Sequence, residues 1–245
     1  MSTVNNKVIL ITGASKGMGA DMAAKLAAAG AKVVVNYSSN TKAADDVVAN
    51  IKNNGGTAIA VKADVSKAGD VTALFDAALK EFGRIDVLIN NAGIMETKML
   101  KDNSEADFDR HFDINVKGTF LTLKEAAAKL ADNGIIINFS SSTVRLMLPS
   151  YAVYSASKAA VDQLTRVFAK EIGRGITVNA IAPGPVATDL FTQGKSEEVM
   201  ARIAAMNAFN RLGQPEDISR VVLFLASDDS KWISGQIIAV NGAMA

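Results

Sequence analysis

Seven short apolar runs recur along the chain at intervals that a helix can bridge, and no other feature restricts the fold as strongly. They read KVILIT, AKVVVNY, TAIAVKA, IDVLIN, GIIINFS, GITVNAIA and GQIIAVN. Each is apolar nearly throughout instead of alternating, as strands buried on both faces of a parallel sheet are. Between them lie segments of helical spacing such as ADMAAKLAAAG, KAGDVTALFDAALKEFG and ASKAAVDQLTRVFAKEIG. Parallel neighbours require crossovers of about this length. The pattern therefore predicts one doubly wound α/β domain over 1–245, with seven parallel strands and helices on both faces. After APGPVATDL, prolines and glycines disfavour continuous structure as far as Arg211, and 190–211 is expected to form a lid beside the site.

In such a sheet ligands bind beyond the carboxyl ends of the strands, so chemistry is sought just after each apolar run. Composition narrows what that chemistry can be. The chain has no cysteine, which removes disulfides, thiol nucleophiles and thiolate metal sites together. Its single histidine, His111, cannot build a multi-histidine metal site and reads as structural or solvated, so no metal is expected. A net charge of +1 argues against nucleic acid or an anionic membrane as the main partner. MSTVNNK carries no apolar export segment and no stretch approaches the ~18 residues of a membrane span, so a cytoplasmic location is expected. Tyr, Lys, Ser, Thr and the carboxylates remain as candidate catalytic groups.

The first run opens into ITGASKGMGADMA, which places Gly13, Gly17 and Gly19 between strand and helix. Glycines there let backbone approach a phosphate, and the helix start supplies unpaired N–H groups and a positive dipole end. The spacing is GxxxGxG, unlike the GxGxxG dinucleotide fingerprint, and its position after the first strand is what favours a nucleotide. An NAD site usually carries an acid near the end of the second strand. Here Asn36 holds that place, followed by Ser38 and Ser39, while Lys16 stands in the glycine turn. A cation with hydroxyls suits a ribose 2′-phosphate that a carboxylate would repel, so NADP(H) is expected over NAD(H). Asp64 after the third run could accept from an adenine amino group or only cap a helix. Asn90, Ala92 and Gly93 after the fourth could leave room for a ribose, although Asn90 could merely bridge strands.

YAVYSASK offers two tyrosines and a lysine. Tyr154 and Lys158 are four apart and share a helix face, whereas Tyr151 and Lys158 are two turns, about 10.5 Å, apart. Tyr154 is thus the better partner. A free phenol titrates near ~10, and bringing it to ~7 takes about 4 kcal/mol, part of which a nearby ammonium could supply. INFSSS places Ser141 and its neighbours where a hydroxyl could reach a carbonyl oxygen held by Tyr154.

TGASKGMG, NNAG, a serine upstream of YSASK, and APGPVATD stand in the order and spacing of the short-chain dehydrogenase/reductase family, and the chain resembles that family over essentially its whole length. The resemblance implies a Rossmann-type domain, usually a homotetramer, with a Ser–Tyr–Lys–Asn site. Tyr154 would be the general acid/base, Lys158 would lower its pKa and bind the nicotinamide ribose, and Ser141 would orient the substrate oxygen. Asn115 would hold a relay water, and Thr188 with backbone near Val186 would bind the carboxamide. The nucleotide set implied in this way also includes Ser15, Met18, Tyr37, Val65, Asn91, Pro183 and Gly184, besides Tyr154 and Lys158 themselves. Val144 replaces a glycine often found three after the serine, and spacing alone favours Ser141 over Ser140 and Ser142. The ending VNGAMA departs from the Asp-Gly-Gly often found there.

Met95, Leu146, Met147, Leu148, Val186, Leu190, Phe191 and Met206 are candidate pocket residues, and an apolar pocket suits ketones or ketoesters. The expected activity is therefore NADP(H)-linked carbonyl reduction of broad, largely apolar ketones. A 3-oxoacyl-acyl-carrier-protein reductase is the alternative, for which Arg174 matches a docking position but Asp132 interrupts the other. A non-catalytic NADP(H) sensor would have no use for the Tyr–Lys pair.

Overall fold

The computed structural model describes residues 4–245, so Met1, Ser2 and Thr3 of the MSTVNNK reading lie outside it. All seven apolar runs become strands: β1 (Val8–Ile11), β2 (Lys32–Tyr37), β3 (Thr57–Lys62), β4 (Val87–Asn90), β5 (Ile135–Phe139), β6 (Thr177–Pro183) and β7 (Ile237–Val240). They form one parallel sheet in the order β3-β2-β1-β4-β5-β6-β7. Helices α1 (Gly17–Ala28), α2 (Thr41–Asn53) and α10 (Pro215–Ala226) cover one face. On the other lie α3 (Ala68–Phe82), α5 (Gly118–Lys129) and α7 (Ala152–Glu171).

The continuous apolarity of the strands follows from this double cover. Ile9, Ile11, Val33, Val35, Val87 and Ile89 pack toward α1 and α10, whereas Leu10, Val34, Leu88 and Ile136 pack toward Phe75, Leu74 and Leu123. Alternate residues of a strand face opposite sides, so both sets must be apolar. Full burial of side chains of this size contributes about 1.5–3 kcal/mol each.

β1 is hydrogen-bonded to β2 on one side and to β4 on the other. After β3 the chain crosses back over β1 and β2 to begin building outward in the opposite direction. The loops leaving β1 and β4 therefore diverge and leave a crevice at their carboxyl ends.

Two local features differ from the sequence reading. The stretch 190–211 is more regular than its glycines suggested: α8 (Asp189–Thr192) and α9 (Glu197–Ala204) lie within or across it, the latter capped by the Ser196 side chain. Between α4 (Glu105–His111) and α5 the helix widens into a π-turn over Phe112–Lys117, which buries Asn115 completely. Such single wide turns concentrate at functional sites. His111 is structural: its Nδ1 donates to the Asp107 carbonyl at 2.7 Å and its Nε2 accepts from the Glu96 amide at 3.1 Å.

Candidate active site

The crevice opens into a cleft of about 460 Å³. Its walls are Gly13 and Ser15–Gly19 from the turn after β1, Asn36–Ser39 from the end of β2, and Asp64 and Val65 after β3. Asn91, Ala92 and Gly93 after β4 and Thr188 complete it. The glycine turn is held open by crowding that a side chain would not tolerate. A Cβ on Gly13 would lie 2.9 Å from the Ala92 Cα, and one on Gly19 only 2.5 Å from the Gly13 carbonyl oxygen. Gly13 and Gly17 also have φ of +62° and +55°, the left-handed region that glycine enters without penalty. Asn91 Nδ2 donates to the carbonyls of Thr12 and Gly13 at 3.0 and 2.9 Å, and the Ala92 amide donates to Thr12 Oγ1 at 3.0 Å. The turn is thus rigidly coupled to β4, and its amide-lined, Cβ-free floor at the start of α1 fits a dinucleotide phosphate.

Asn36 and Asp64 in the cleft wall, and Asn90 beside it, are bonded within the fold. Asn36 is almost fully buried, and its amide is already committed. Oδ1 accepts from the Gly13 amide at 3.1 Å, and Nδ2 donates to the carbonyls of Val61 and Ala63 at 3.3 and 3.0 Å. It positions the glycine turn, with one Oδ1 lone pair still free at the cleft wall. Asp64 accepts from Ser66 N and Oγ at 3.0 and 2.7 Å, which bends its own loop. Burial pulls that carboxyl upward, but the Ser66 bonds and Lys67 prevail and hold it below the usual range. Asn90 does not line the cleft at all; it points along the sheet and donates to Asn138 at 2.9 Å. Lys16, Ser38 and Ser39, by contrast, stand exposed on the cleft wall.

A second, largely apolar cavity of about 130 Å³ adjoins the first. Met18, Asn91, Gly93, Ile94, Thr188 and Leu190 line both, so they form the boundary between the two. Tyr154 and Lys158 face the second cavity, together with Pro183, Gly184 and Val186, so these five border the nucleotide cleft from the far side and do not wall it. Of the expected pocket residues, Met95, Leu146, Leu148, Val186, Leu190, Phe191 and Met206 line the cavity. Met147 does not; it is 82% exposed on the outer side of its loop. Ile94, Tyr151, Ile203 and Met244 complete the apolar lining, and the sequence held no local signal for Ile94, Ile203 or Met244.

The three consecutive serines are separated by where the strand end aims them. Ser142 Oγ donates to the Ala182 carbonyl at 3.2 Å and accepts from Asn241 at 2.9 Å, which ties β5 to the chain end. Ser140 turns to Asp162 on α7. Ser141 alone faces Tyr154. Its oxygen accepts from Thr143 N and Oγ1 at 3.2 and 3.0 Å, so its own proton is the part left to donate.

Lys158 Nζ lies 5.9 Å from the centre of the Tyr154 ring and donates to the Phe139 carbonyl at 2.8 Å. The pair is adjacent, and burial acts on both groups. Burial is the largest influence on Tyr154 and pushes it up to about 12, with the Ser141 hydrogen bond only partly countering it. Burial likewise pulls Lys158 down to about 8, against the attraction of Asp162. Desolvation disfavours the charged form of each group, which raises the phenol and lowers the ammonium. Asn115 is buried behind the pair. Oδ1 accepts from the Ile94 amide at 2.9 Å, while Nδ2 donates to the Ile94 carbonyl and Ser157 Oγ, both at 3.0 Å. Both amide protons are thereby used, Oδ1 keeps one lone pair, and the side chain clamps the 93–94 segment to α7.

Among the described residues no cluster of His, Asp or Glu could hold a metal, and no helix is long and apolar enough to cross a membrane. A dinucleotide cleft opening beside a Ser–Tyr hydroxyl pair with a lysine behind it defines a nucleotide-dependent oxidoreductase acting at a carbon–oxygen bond. Known proteins agree. A family model described as Enoyl-(Acyl carrier protein) reductase matches residues 13–244. A short-chain type dehydrogenase/reductase of Picea abies is 44% identical over 98% of this chain and 92% of its own. A versicolorin reductase of Emericella nidulans is 44% identical over 98% of this chain and 96% of its own. The solved angucycline C-6 ketoreductase LanV with bound NADP superposes with a TM-score of 0.94 at 36% identity, covering 99% of this chain and 97% of that one. The chain belongs to the short-chain dehydrogenase/reductase family. It is an NADP(H)-dependent enzyme that interconverts carbonyl and alcohol groups.

Proposed function

We propose that the protein reduces apolar ketones and ketoesters, with Tyr154 as proton donor, Ser141 as the second hydroxyl on the carbonyl oxygen and Lys158 as the cation behind them. The convergence of the Ser141 and Tyr154 hydroxyls at one point of an otherwise apolar cavity carries this reading. Bound nicotinamide supplies the hydride. Gly13–Gly19, Lys16, Ser38 and Ser39 would hold the phosphates, and Thr188 and Val186 would bind the carboxamide. Two O–H donors aimed at one oxygen stabilise the negative charge that develops there, and the apolar walls exclude water that would compete. A phenol held near 12 keeps its proton at neutral pH until that charge appears, which suits the reductive direction.

A panel of ketones, β-ketoesters and an acyl-carrier β-ketoester, followed by NADPH consumption, tests the reading. Turnover of the small ketones supports it, and turnover of the carrier substrate alone overturns it. Arg174 argues against the carrier alternative, because it is consumed within the fold. It pairs with Asp132 at 2.6 Å, donates to the Ala127 carbonyl at 2.9 Å and also bonds the Leu130 carbonyl.

Lys16 is proposed to meet the 2′-phosphate. Lys16→Ala should raise the NADPH KM about tenfold, near the 1.4 kcal/mol such a charge-assisted contact contributes, with a much smaller change for NADH. Equal changes for both would remove the assignment. Lys158 gives a pH test by binding alone. Its ammonium predominates below about 8 and is lost above it. If that ammonium donates to the ribose, NADPH affinity is full below this value and weakens as pH rises through it. Fluorescence titration at neutral and alkaline pH checks this, and Lys158→Met should flatten the profile.

A homotetramer in the cytoplasm is the assembly and setting we propose. Apolar side chains left outside support the first: Phe120 on α5 and Val167 on α7 on one side, Phe224 and the fully exposed Trp232 near edge strand β7 on another. A cysteine-free fold takes nothing from an oxidising compartment.

A further inference from the structure

Tyr151 is a polar group of the substrate cavity that neither the fold nor the proposed reaction uses. It lines the cavity, and its ring meets that of Tyr154 edge-on with centres 6.4 Å apart. Its hydroxyl makes no hydrogen bond with any described residue, whereas Ser142 Oγ donates to the Ala182 carbonyl and Ser141 Oγ accepts from Thr143. Tyr151 and Tyr154 line the same cavity.

The placement of Tyr151 is held by strain. It immediately precedes α7, and the Ser155 amide donates to its carbonyl at 2.7 Å. The loop before it contains two non-glycine residues in the left-handed region, Met147 at φ +49° and Ser150 at φ +68°. The Lys98 amide pins that loop by donating to the Ser150 carbonyl at 3.0 Å. Left-handed conformations at ordinary residues persist where surrounding contacts over-determine them, and they concentrate at ligand sites. Here the strained turn swings Met147 outward and brings Leu146, Leu148 and Tyr151 inward.

We propose that Tyr151 is a specificity-determining residue whose hydroxyl takes a second oxygen of the substrate, so that the enzyme prefers ketones with an oxygen substituent close to the carbonyl. β-Ketoesters, 1,3-diketones and phenolic aryl ketones are the chemical class meant. This rests on the carbonyl-reductase reading with Tyr154 as proton donor. A polar group poised in an apolar cavity discriminates by what it loses when unpaired: a substrate without the second oxygen leaves the phenol desolvated and unsatisfied.

Ethyl 3-oxobutanoate and 2-heptanone test this, because their seven-atom chains match and only the former carries the second oxygens. For Tyr151→Phe, the ratio of kcat/KM for the ester to that for the plain ketone should fall about fivefold to tenfold, through KM more than kcat. A ratio within twofold of the parent overturns the proposal, and so does a loss confined to kcat and shared by both ketones. Binding gives an independent reading. Calorimetry in a Tyr154→Phe background should show weaker affinity for ethyl 3-hydroxybutanoate, but not for 2-heptanol, once Tyr151→Phe is added; equal losses overturn the proposal. If the parent enzyme reduces neither ketone, the carbonyl-reductase reading fails, and the calorimetric comparison still decides whether Tyr151 binds the second oxygen.

Discussion

Tyr154→Phe should lower reductive turnover about a thousandfold while leaving NADPH affinity within about twofold. Proton transfer by a positioned side chain contributes on the order of 10²–10⁴ to rate, and phenylalanine keeps the ring while removing the proton. Loss of one hydroxyl leaves the ring itself in place, and the nucleotide cleft is walled by other residues. Ser141 would remain with its proton to donate, which explains why residual catalysis is expected above the uncatalysed level. Single-turnover rates with a β-ketoester, alongside NADPH titration by fluorescence, measure both quantities. Retained turnover would move the proton donor elsewhere, and parallel loss of NADPH binding would make Tyr154 a structural part of the cleft.

Gly19→Ala has the next largest expected effect, and it falls on binding and stability together. The new methyl would lie 2.5 Å from the Gly13 carbonyl oxygen, 2.7 Å from Asn91 Nδ2 and 2.8 Å from the Ala14 Cα. Two of these are backbone atoms in a turn that Asn36 and Asn91 hold from both sides, so the neighbours cannot give way cheaply. Overpacking of this kind costs roughly 1–3 kcal/mol, and the displaced amides should weaken NADPH binding at least tenfold. Urea unfolding and NADPH titration read the two effects separately. Gly69→Ala is the control: it lies in α3 with nothing near its added Cβ, and should be neutral or stabilising by up to about 1 kcal/mol. If both variants behave alike, crowding at the turn is not what glycine answers there.

The apolar runs and the helical segments between them were enough to determine the sheet, since a strand apolar on both sides can only be buried on both sides. The glycine turn and the Tyr154–Lys158 spacing were legible for a similar reason: each is a short-range pattern whose meaning depends on neighbours a few residues away. Long-range contacts were not. Only the tertiary structure decided that Asn36 braces the glycine turn, that Asn115 clamps Ile94, and that Ser141 and not its neighbours faces the phenol. It also decided that Tyr154 and Lys158 titrate in the direction burial dictates, because desolvation is set by everything packed around a group and a spacing of four residues carries no information about it.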